Sequence, residues 1–548
     1  MNGAEFLLKC LEAEGVDIVF GYPGGAVIPL FDAIFDNKNI AHFRPAHEQG
    51  GIHAADGYAR VTGKPGVMIV TSGPGLTNAV TGLANAYLDS IPMVVISGQV
   101  GKGLLGKSSF QEVDTVGITM PICKHNYLVT ESDEIGEAIA EAFLIATSGR
   151  PGPVVVDITK NALMEEVSDA NYKAKERPID NRLQEKYIDE LDKAIELLKN
   201  AKKPVIYAGG GVLKSESSEL LAELANMCNI PVANSIMGLG SFDRKSPLSF
   251  GIVGMHGDKE TNLMVYESDV IVGLGVRFSD RAIGHRDGFS ESAKVIHIDT
   301  DPPEFNKNLD TDVAIAGSMQ EILKEMINRL KDTKYKPRYY MNERDEIDKD
   351  FIPLVTLELL QNHFPDDTII ATDVGQHQMW TVRKWQFTKP RTLVTSGGLG
   401  TMGFGMGAAI GAKIGKPESP VILVTGDGSF RMNHHELIMA KDHNIPITVV
   451  VYNNSTLGMV RQWQALFNEK RYSDTDIAPN LNYEFLAMAY GINYAGEFSS
   501  RRELMEILKT LDYKNKINLL VFNLDHDMGA FPMVAAGQSI NNVIEFID

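Results

Sequence analysis

The sequence predicts an α/β protein of three doubly wound parallel-sheet domains, and three observations carry that prediction. Short apolar runs of four to six residues recur along the chain and end at Gly, Pro or a polar residue. Stretches of helical spacing separate them, and this alternation means parallel strands covered by helices. Two charged stretches of little periodicity, 165–182 and 331–349, cut the chain into three such blocks. A length of 548 residues suits three to four domains.

The first block, 1–162, has expected strands at 16–20, 66–70, 92–96 and 153–157. The second, 183–330, has them at 204–208, 269–273 and 294–299. The third, 351–548, has them at 368–372, 420–425, 447–452 and 518–523. Each is an apolar run, rich in Val and Ile, too short for a helix and closed by a turn signal. Ligands in such sheets bind beyond the carboxyl ends of strands.

Composition narrows the function. Against 52 basic residues stand 71 acidic ones, a net charge of -19. That argues against a nucleic-acid or anionic-membrane partner and means that an anionic ligand needs a local basic site. Cys10, Cys123 and Cys228 match no zinc spacing and read as free buried thiols in a reducing, cytoplasmic setting. The N-terminus has no basic, apolar leader, and no run approaches the roughly 18 apolar residues of a membrane span.

The chemistry begins with Gly426-Asp427-Gly428-Ser429-Phe430 and Asn453-Asn454. Strand 420–425, a tight turn over 426–430, helical spacing over 432–443 and strand 447–452 make one βαβ unit with parallel strands. Asp427 and Asn454 then converge past two carboxyl ends. A carboxylate and an amide oxygen suit Mg²⁺, with diphosphate oxygens and water completing the shell. Either motif alone reads as a turn or a strand terminator; on one βαβ unit they point to a metal-held diphosphate. Val374-Gly375-Gln376-His377 ends another strand, and Ser396-Gly397-Gly398-Leu399-Gly400 opens a Gly/Ala-rich helix. Both loops are expected at the same sheet edge.

Glu48 lies in Arg44-Pro45-Ala46-His47-Glu48-Gln49-Gly50-Gly51, where a strand hands over to a helix. Alone it reads as a helix-start acid favoured by the macrodipole. Beside the metal motif it completes the inventory of a thiamine diphosphate enzyme. A carboxyl in an apolar pocket, bonded to the aminopyrimidine, drives the imino tautomer that removes the C2 proton. His47 reads as a hydrogen-bonded structural histidine.

Further segments carry a resemblance: Gly21-Tyr22-Pro23-Gly24-Gly25-Ala26, 46–60, Thr71-Ser72-Gly73-Pro74-Gly75, Phe110-Gln111-Glu112, Ser148-Gly149-Arg150-Pro151-Gly152-Pro153, Arg277-Phe278-Ser279-Asp280-Arg281, 373–380, 426–432 and Gly458-Met459-Val460-Arg461-Gln462-Trp463. Over essentially its whole length the chain resembles the catalytic subunits of acetohydroxyacid synthase, also called acetolactate synthase. Gly-Asp-Gly marks only the thiamine diphosphate superfamily; Phe-Gln-Glu, Arg-Phe-Ser-Asp-Arg and Gln-Trp resemble the anabolic, FAD-containing branch.

The resemblance implies a pyrimidine-binding domain, a central FAD-binding domain and a diphosphate-binding domain, in that order. It implies decarboxylation of pyruvate on thiamine diphosphate and transfer of the hydroxyethyl unit to a second pyruvate or to 2-ketobutyrate. The products, 2-acetolactate and 2-aceto-2-hydroxybutyrate, lead to valine, leucine and isoleucine. It also implies a homodimer or dimer of dimers with active sites between subunits, and a small regulatory subunit conferring valine feedback.

Carried over by position, Asp427 and Asn454 are metal side-chain ligands and Thr456 supplies a carbonyl. Val374, Gly375, Gln376, His377, Gly400, Met402, Gly428 and Ser429 surround thiamine diphosphate, and Met432 bends it. Phe110, Gln111 and Lys160 line the reaction centre, Arg281 binds a substrate carboxylate, and Trp463 favours 2-ketobutyrate. Gly210, Gly211, Met255, His256, Gly275, Arg277 and Asp299 hold FAD. Read alone, Met432 is core filler, Trp463 is packing, and Arg281 is a surface charge able to pair with Asp280. The FAD expectation rests on the resemblance, because Gly209-Gly210-Gly211 is not the dinucleotide fingerprint. Gly407 stands where the family often has Pro, and Arg431, His434 and His435 are unusual beside Met432. Two rivals remain: another superfamily member such as pyruvate oxidase, and a catalytically silent subunit that keeps the fold for assembly.

Overall fold

A computed structural model describes residues 1–175, 187–333, 335, 352–477 and 481–546. The end of the first charged stretch, 176–182, most of the second, and the expected starts of the second and third blocks at 183 and 351 lie outside the described residues.

Each block builds a six-stranded sheet whose paired strands are all parallel. The first runs Ala41–Phe43, Ile18–Gly21, Gly66–Val70, Met93–Gln99, Pro153–Thr159, His125–Val129 across the sheet. The second runs Val313–Ala316, Lys294–Asp299, Val270–Leu274, Pro204–Ala208, Val232–Asn234, Ser249–Ile252. The third runs Leu393–Thr395, Ile369–Thr372, Val421–Gly426, Thr448–Asn453, Asn518–Asn523, Asn493–Phe498. The expected strands are present, with ends shifted by at most three residues. The unexpected ones are mostly edge strands, such as Ala41–Phe43 and Asn493–Phe498, which are short or half-exposed and lack a continuous apolar run.

One expectation needs correction. Residues 426–430 are not a tight turn: Val421–Gly426 passes directly into the helix Asp427–Asn433, and Asp427 is its first residue.

The first and third domains share a core. Helix Glu48–Thr62 of one lies against helix Phe404–Gly415 of the other, and Ile52, Tyr58, Phe404 and Ile410 belong to one buried cluster with Val451. The helices touch backbone to backbone. A Cβ at Gly57 would fall on the Ala408 carbonyl, one at Gly407 on the Gly50 carbonyl, and one at Gly411 on that of Ala54. Gly407 therefore has a packing role in this seam.

Past the third sheet, the chain turns back over the middle domain. The Val534 amide donates to the Met255 carbonyl at 2.7 Å, the His285 amide donates to the Gln538 carbonyl at 3.1 Å, and Ile540 is buried. Among the described residues no helix is long and apolar enough to cross a membrane.

Candidate active site

Asp427 begins its helix where one central strand of the third sheet ends, and Asn454 follows the end of the neighbouring strand Thr448–Asn453. Their convergence is what parallel βαβ geometry requires. With Val374, Gly375, Gln376, His377, Met402, Gly428, Ser429 and Thr456 they line one cavity. Gly400 is beside it, its missing Cβ 3.9 Å from the Val374 side chain. Gly375 has φ +148°, and a side chain there would meet the His377 ring at 3.0 Å.

The donors and acceptors fit a cation holding a diphosphate. Asp427 is 2% exposed and its Oδ2 has no partner among the described residues; burial pushes the carboxyl up to about 6. A buried carboxylate oxygen without a partner is costly unless a cation meets it. Asn454 Oδ1 accepts from the Thr456 amide at 3.3 Å and keeps further acceptor capacity. His377 is buried, its Nε2 has no partner among the described residues, and desolvation lowers its pKa to about 3, so it faces the cavity neutral. No group of three or more His, Cys, Asp or Glu suited to a metal occurs among the described residues. A site with one carboxylate and one amide needs oxygens from a ligand to complete its shell.

Glu48 opens the seam helix and is 9% exposed. Asn78 Nδ2 donates to its Oε2 at 3.0 Å, and Gly75 approaches Oε1. His47 is the helix cap: its ring Nδ1 accepts from the Gln49 amide at 3.1 Å, as its structural reading required. Gln111 packs over Gly73, so the Gly73-Pro74-Gly75 turn joins Glu48 to Gln111. Phe110 beside it is 88% exposed. Lys160 starts the short helix after Pro153–Thr159. None of these first-domain residues lines the cavity around Asp427 and Asn454.

A second cavity of about 620 Å³ opens between the first and middle domains. Gly210, Gly211, Gly275, Arg277, Asp299 and Arg281 line it. Gly211 and Gly275 meet backbone to backbone. Met255 and His256 are near it without lining it. The Arg281 Nη1 reaches Met255 Sδ at 3.2 Å, while burial holds the His256 imidazole down at about 4. Arg281 also lies over the Trp463 ring, 5.5 Å from guanidinium carbon to centroid. Its contact with Asp280 is 3.7 Å and solvent-exposed, so that pairing is weak.

Three family models match successive parts of the chain. Residues 1–118, 191–326 and 373–521 match the N-terminal TPP binding domain, the central domain and the C-terminal TPP binding domain of thiamine pyrophosphate enzymes. A probable acetolactate synthase large subunit of Methanococcus aeolicus is 42% identical, covering 100% of this chain and 96% of its own. The acetolactate synthase isozyme 2 large subunit of Escherichia coli is 40% identical over 100% of both chains. The acetolactate synthase large subunit of Lactococcus lactis is 40% identical over 99% of this chain and 96% of its own. The chain belongs to the acetolactate synthase large-subunit family.

Within that family frame, several site features escaped the sequence reading. Arg150, Lys214, Asp301 and Glu304 also line the larger cavity, and Arg150 Nη1 bonds Glu304 Oε1 at 2.8 Å across 154 positions. Burial brings the Lys214 ammonium down to about 7. A buried Asp56–Arg60–Asp89 group joins the domains: Arg60 pairs with both carboxylates, and Asp89 accepts from the Gly397 and Gly398 amides at 3.0 and 2.7 Å. Gln376 is not free to face a ligand with its amide nitrogen, which donates to Gln462 Oε1 at 2.9 Å and the Met528 carbonyl at 2.8 Å. One signal was available only in the backbone. Gln111, Phe278 and Ser455 have positive φ (61°, 45° and 55°), and they adjoin Phe110, Arg277 and Asn454 in sequence.

Proposed function

We infer that this chain is an acetolactate synthase, a thiamine diphosphate-dependent carboligase. It takes the hydroxyethyl unit of one pyruvate, after loss of CO2, to a second pyruvate or to 2-ketobutyrate. Thiamine diphosphate, when bound, supplies the electron sink for decarboxylation. Asp427, Asn454 and the Thr456 carbonyl hold Mg²⁺, and His377, Gly428 and Ser429 meet the diphosphate. Met432, half-exposed beside Gly403, would give the bound cofactor an apolar support. Glu48 keeps Oε1 free of hydrogen bonds among the described residues and presents it to the pyrimidine.

The observation that carries acetolactate chemistry is the meeting of Arg281 and Trp463 from two domains. A guanidinium pairs with a ketoacid carboxylate, and the indole beside it is a wall for the short alkyl group. Phe110, Gln111 and Lys160 would enter the reaction centre from the Glu48 side.

The larger cavity suits FAD. Its volume lies in the range of cofactor pockets, its glycine edge admits a ligand backbone closely, and Arg277 and Lys214 offer cations to a diphosphate while Asp299 offers an acceptor. The diphosphate cavity is lined by third-domain residues, and Phe110 beside the Glu48 turn faces outward. Both support a dimer in which Glu48 serves a cofactor on the partner. A small regulatory subunit fits relatives named as large subunits. The free buried thiols Cys10, Cys123 and Cys228 suit a reducing cytoplasm.

The test is product analysis with pyruvate, thiamine diphosphate, Mg²⁺ and FAD under anaerobic conditions. Acetolactate with CO2 in equal amounts is expected. Acetate formed with an electron acceptor, and little acetolactate, would replace this reading by an oxidase; no turnover at all would favour a silent subunit.

A further inference from the structure

We propose that Glu436 is a positioning residue for the reaction: its carboxylate, clamped on the two backbone amides that precede Glu48, sets the direction in which Glu48 points. The proposal rests on the role of Glu48 given above.

Glu436 is fully buried, in the short helical turn after Asp427–Asn433. Its Oε2 accepts from the Ala46 amide and its Oε1 from the His47 amide, both at 2.9 Å. These donors are 390 and 389 positions away in sequence and belong to the other domain. They are the last two amides before the helix that Glu48 opens. Gly50, one turn into that helix, has no room for a side chain, because a Cβ there would fall on the Glu436 carboxyl. Glu436 therefore fixes the strand-to-helix corner from two sides.

The choice of a carboxylate is informative. Two parallel N–H donors need two acceptors, which a carboxylate supplies and an amide does not. Such a charge is expensive to bury, and burial, opposed by the two amides and reinforced by the Glu48 charge, raises the Glu436 carboxyl to about 7. A protonated Glu436 keeps only one free acceptor for two donors, so the clamp loosens as pH falls through that value. The titratable groups around it are Glu48 and His47 on the opposing helix, His434 and His435 on its own segment, and Tyr490 on helix Tyr483–Tyr490. His435 Nε2 is 3.6 Å from Glu436 Oε1, and His434 Nδ1 shares a 2.9 Å hydrogen bond with Tyr490. Burial lowers both histidines, so they are neutral where Glu436 titrates.

The experiment measures exchange of the C2 proton of thiamine diphosphate bound to the holoenzyme, for the parent, Glu436→Gln and Glu48→Gln, across pH 6 to 8. Misplacing a reacting group by about 1 Å costs about 10²-fold. Glu436→Gln is expected to slow exchange by about that factor at unchanged cofactor affinity, and to lose the fall in rate that the parent shows below about pH 7. Parent-like exchange in Glu436→Gln, or a loss explained by weaker cofactor binding, overturns the proposal. If that variant does not fold, the parent alone decides, because a rate that is flat from pH 8 to pH 6 also overturns it. Parent-like exchange in Glu48→Gln would instead bring down the functional reading itself.

Discussion

The two junctions between domains are built in opposite ways. Between the first and third domains, helices Glu48–Thr62 and Phe404–Gly415 meet through glycine and carbonyl, and no room is left. Between the first and middle domains lies a cavity of about 620 Å³ ringed by Arg150, Lys214, Arg277, Asp299 and Glu304. The closed junction carries Glu48 at its end. The open one carries Arg281. Glu48 is held by packed backbone, while Arg281 borders open space. On the proposed function, the seam would fix the geometry of Glu48, and the cavity would gain order from the ligand that fills it.

The sharpest way to break the contrast is to put volume into the seam. Gly411→Val would press a branched side chain on the Ala54 carbonyl. Overpacking costs about 1–3 kcal/mol where side chains can yield, and here backbone faces backbone, so the loss should reach or pass about 3 kcal/mol. Thermal unfolding should show a large drop in midpoint, with FAD unable to restore it. A variant that melts with the parent would mean that the two helices have freedom the seam denies them.

Next in size is the group at the end of the seam. Glu48→Gln keeps the Asn78 contact available but removes the acid. C2 proton exchange should slow by roughly 10²–10⁴ at nearly unchanged Mg²⁺ and cofactor affinity, since Asp427 and Asn454 are untouched. If cofactor affinity falls as far as the rate, Glu48 is holding the ligand rather than moving its proton.

The cavity should respond to its ligand where the seam does not. A ligand at 100 times its dissociation constant stabilises the folded state by about 2.7 kcal/mol. FAD should raise the melting temperature, and a flavin analogue that cannot be reduced should do the same and still support carboligation, because the proposed reaction moves no net electrons. Carboligation that requires a reducible flavin would make the cavity a redox site and end its role as a scaffold.

How far these features were legible in the sequence follows from the same contrast. Central strands such as Pro204–Ala208 and Asn518–Asn523 are buried on both faces, and their apolar runs mark them directly. The edge strand His125–Val129 is half-exposed and reads as loop. Asp427 and Asn454 were legible because βαβ geometry turns two strand ends into one place. Residues 426–430 misled, because Gly-Asp-Gly signals a turn while the strand passes straight into a helix. Glu436 and the Asp56–Arg60–Asp89 group left no trace, because each acquires meaning only from partners hundreds of positions away or in another domain. Gly407 looked like a departure, and only its contact with Gly50 explains it.

The smallest expected effect lies at the cavity edge, where Arg281 stacks on Trp463. The indole is half-buried, its edge packs on Phe467 at 5.8 Å, and its face takes the guanidinium. An acceptor with one more methylene than pyruvate would lay that group on the indole, and one methylene in an apolar pocket is worth about 1–3 kcal/mol. Trp463→Leu keeps an apolar side chain but removes the flat wall. Acetolactate synthesis should persist, while the product ratio in a pyruvate and 2-ketobutyrate competition should shift about tenfold toward acetolactate. Arg281→Lys provides the contrast: it keeps the charge but loses the planar stack, so it should raise the KM for both ketoacids without moving their ratio. A ratio unchanged in Trp463→Leu would return Trp463 to packing. A ratio moved as far by Arg281→Lys would mean that the stacked pair, rather than the indole alone, selects the acceptor.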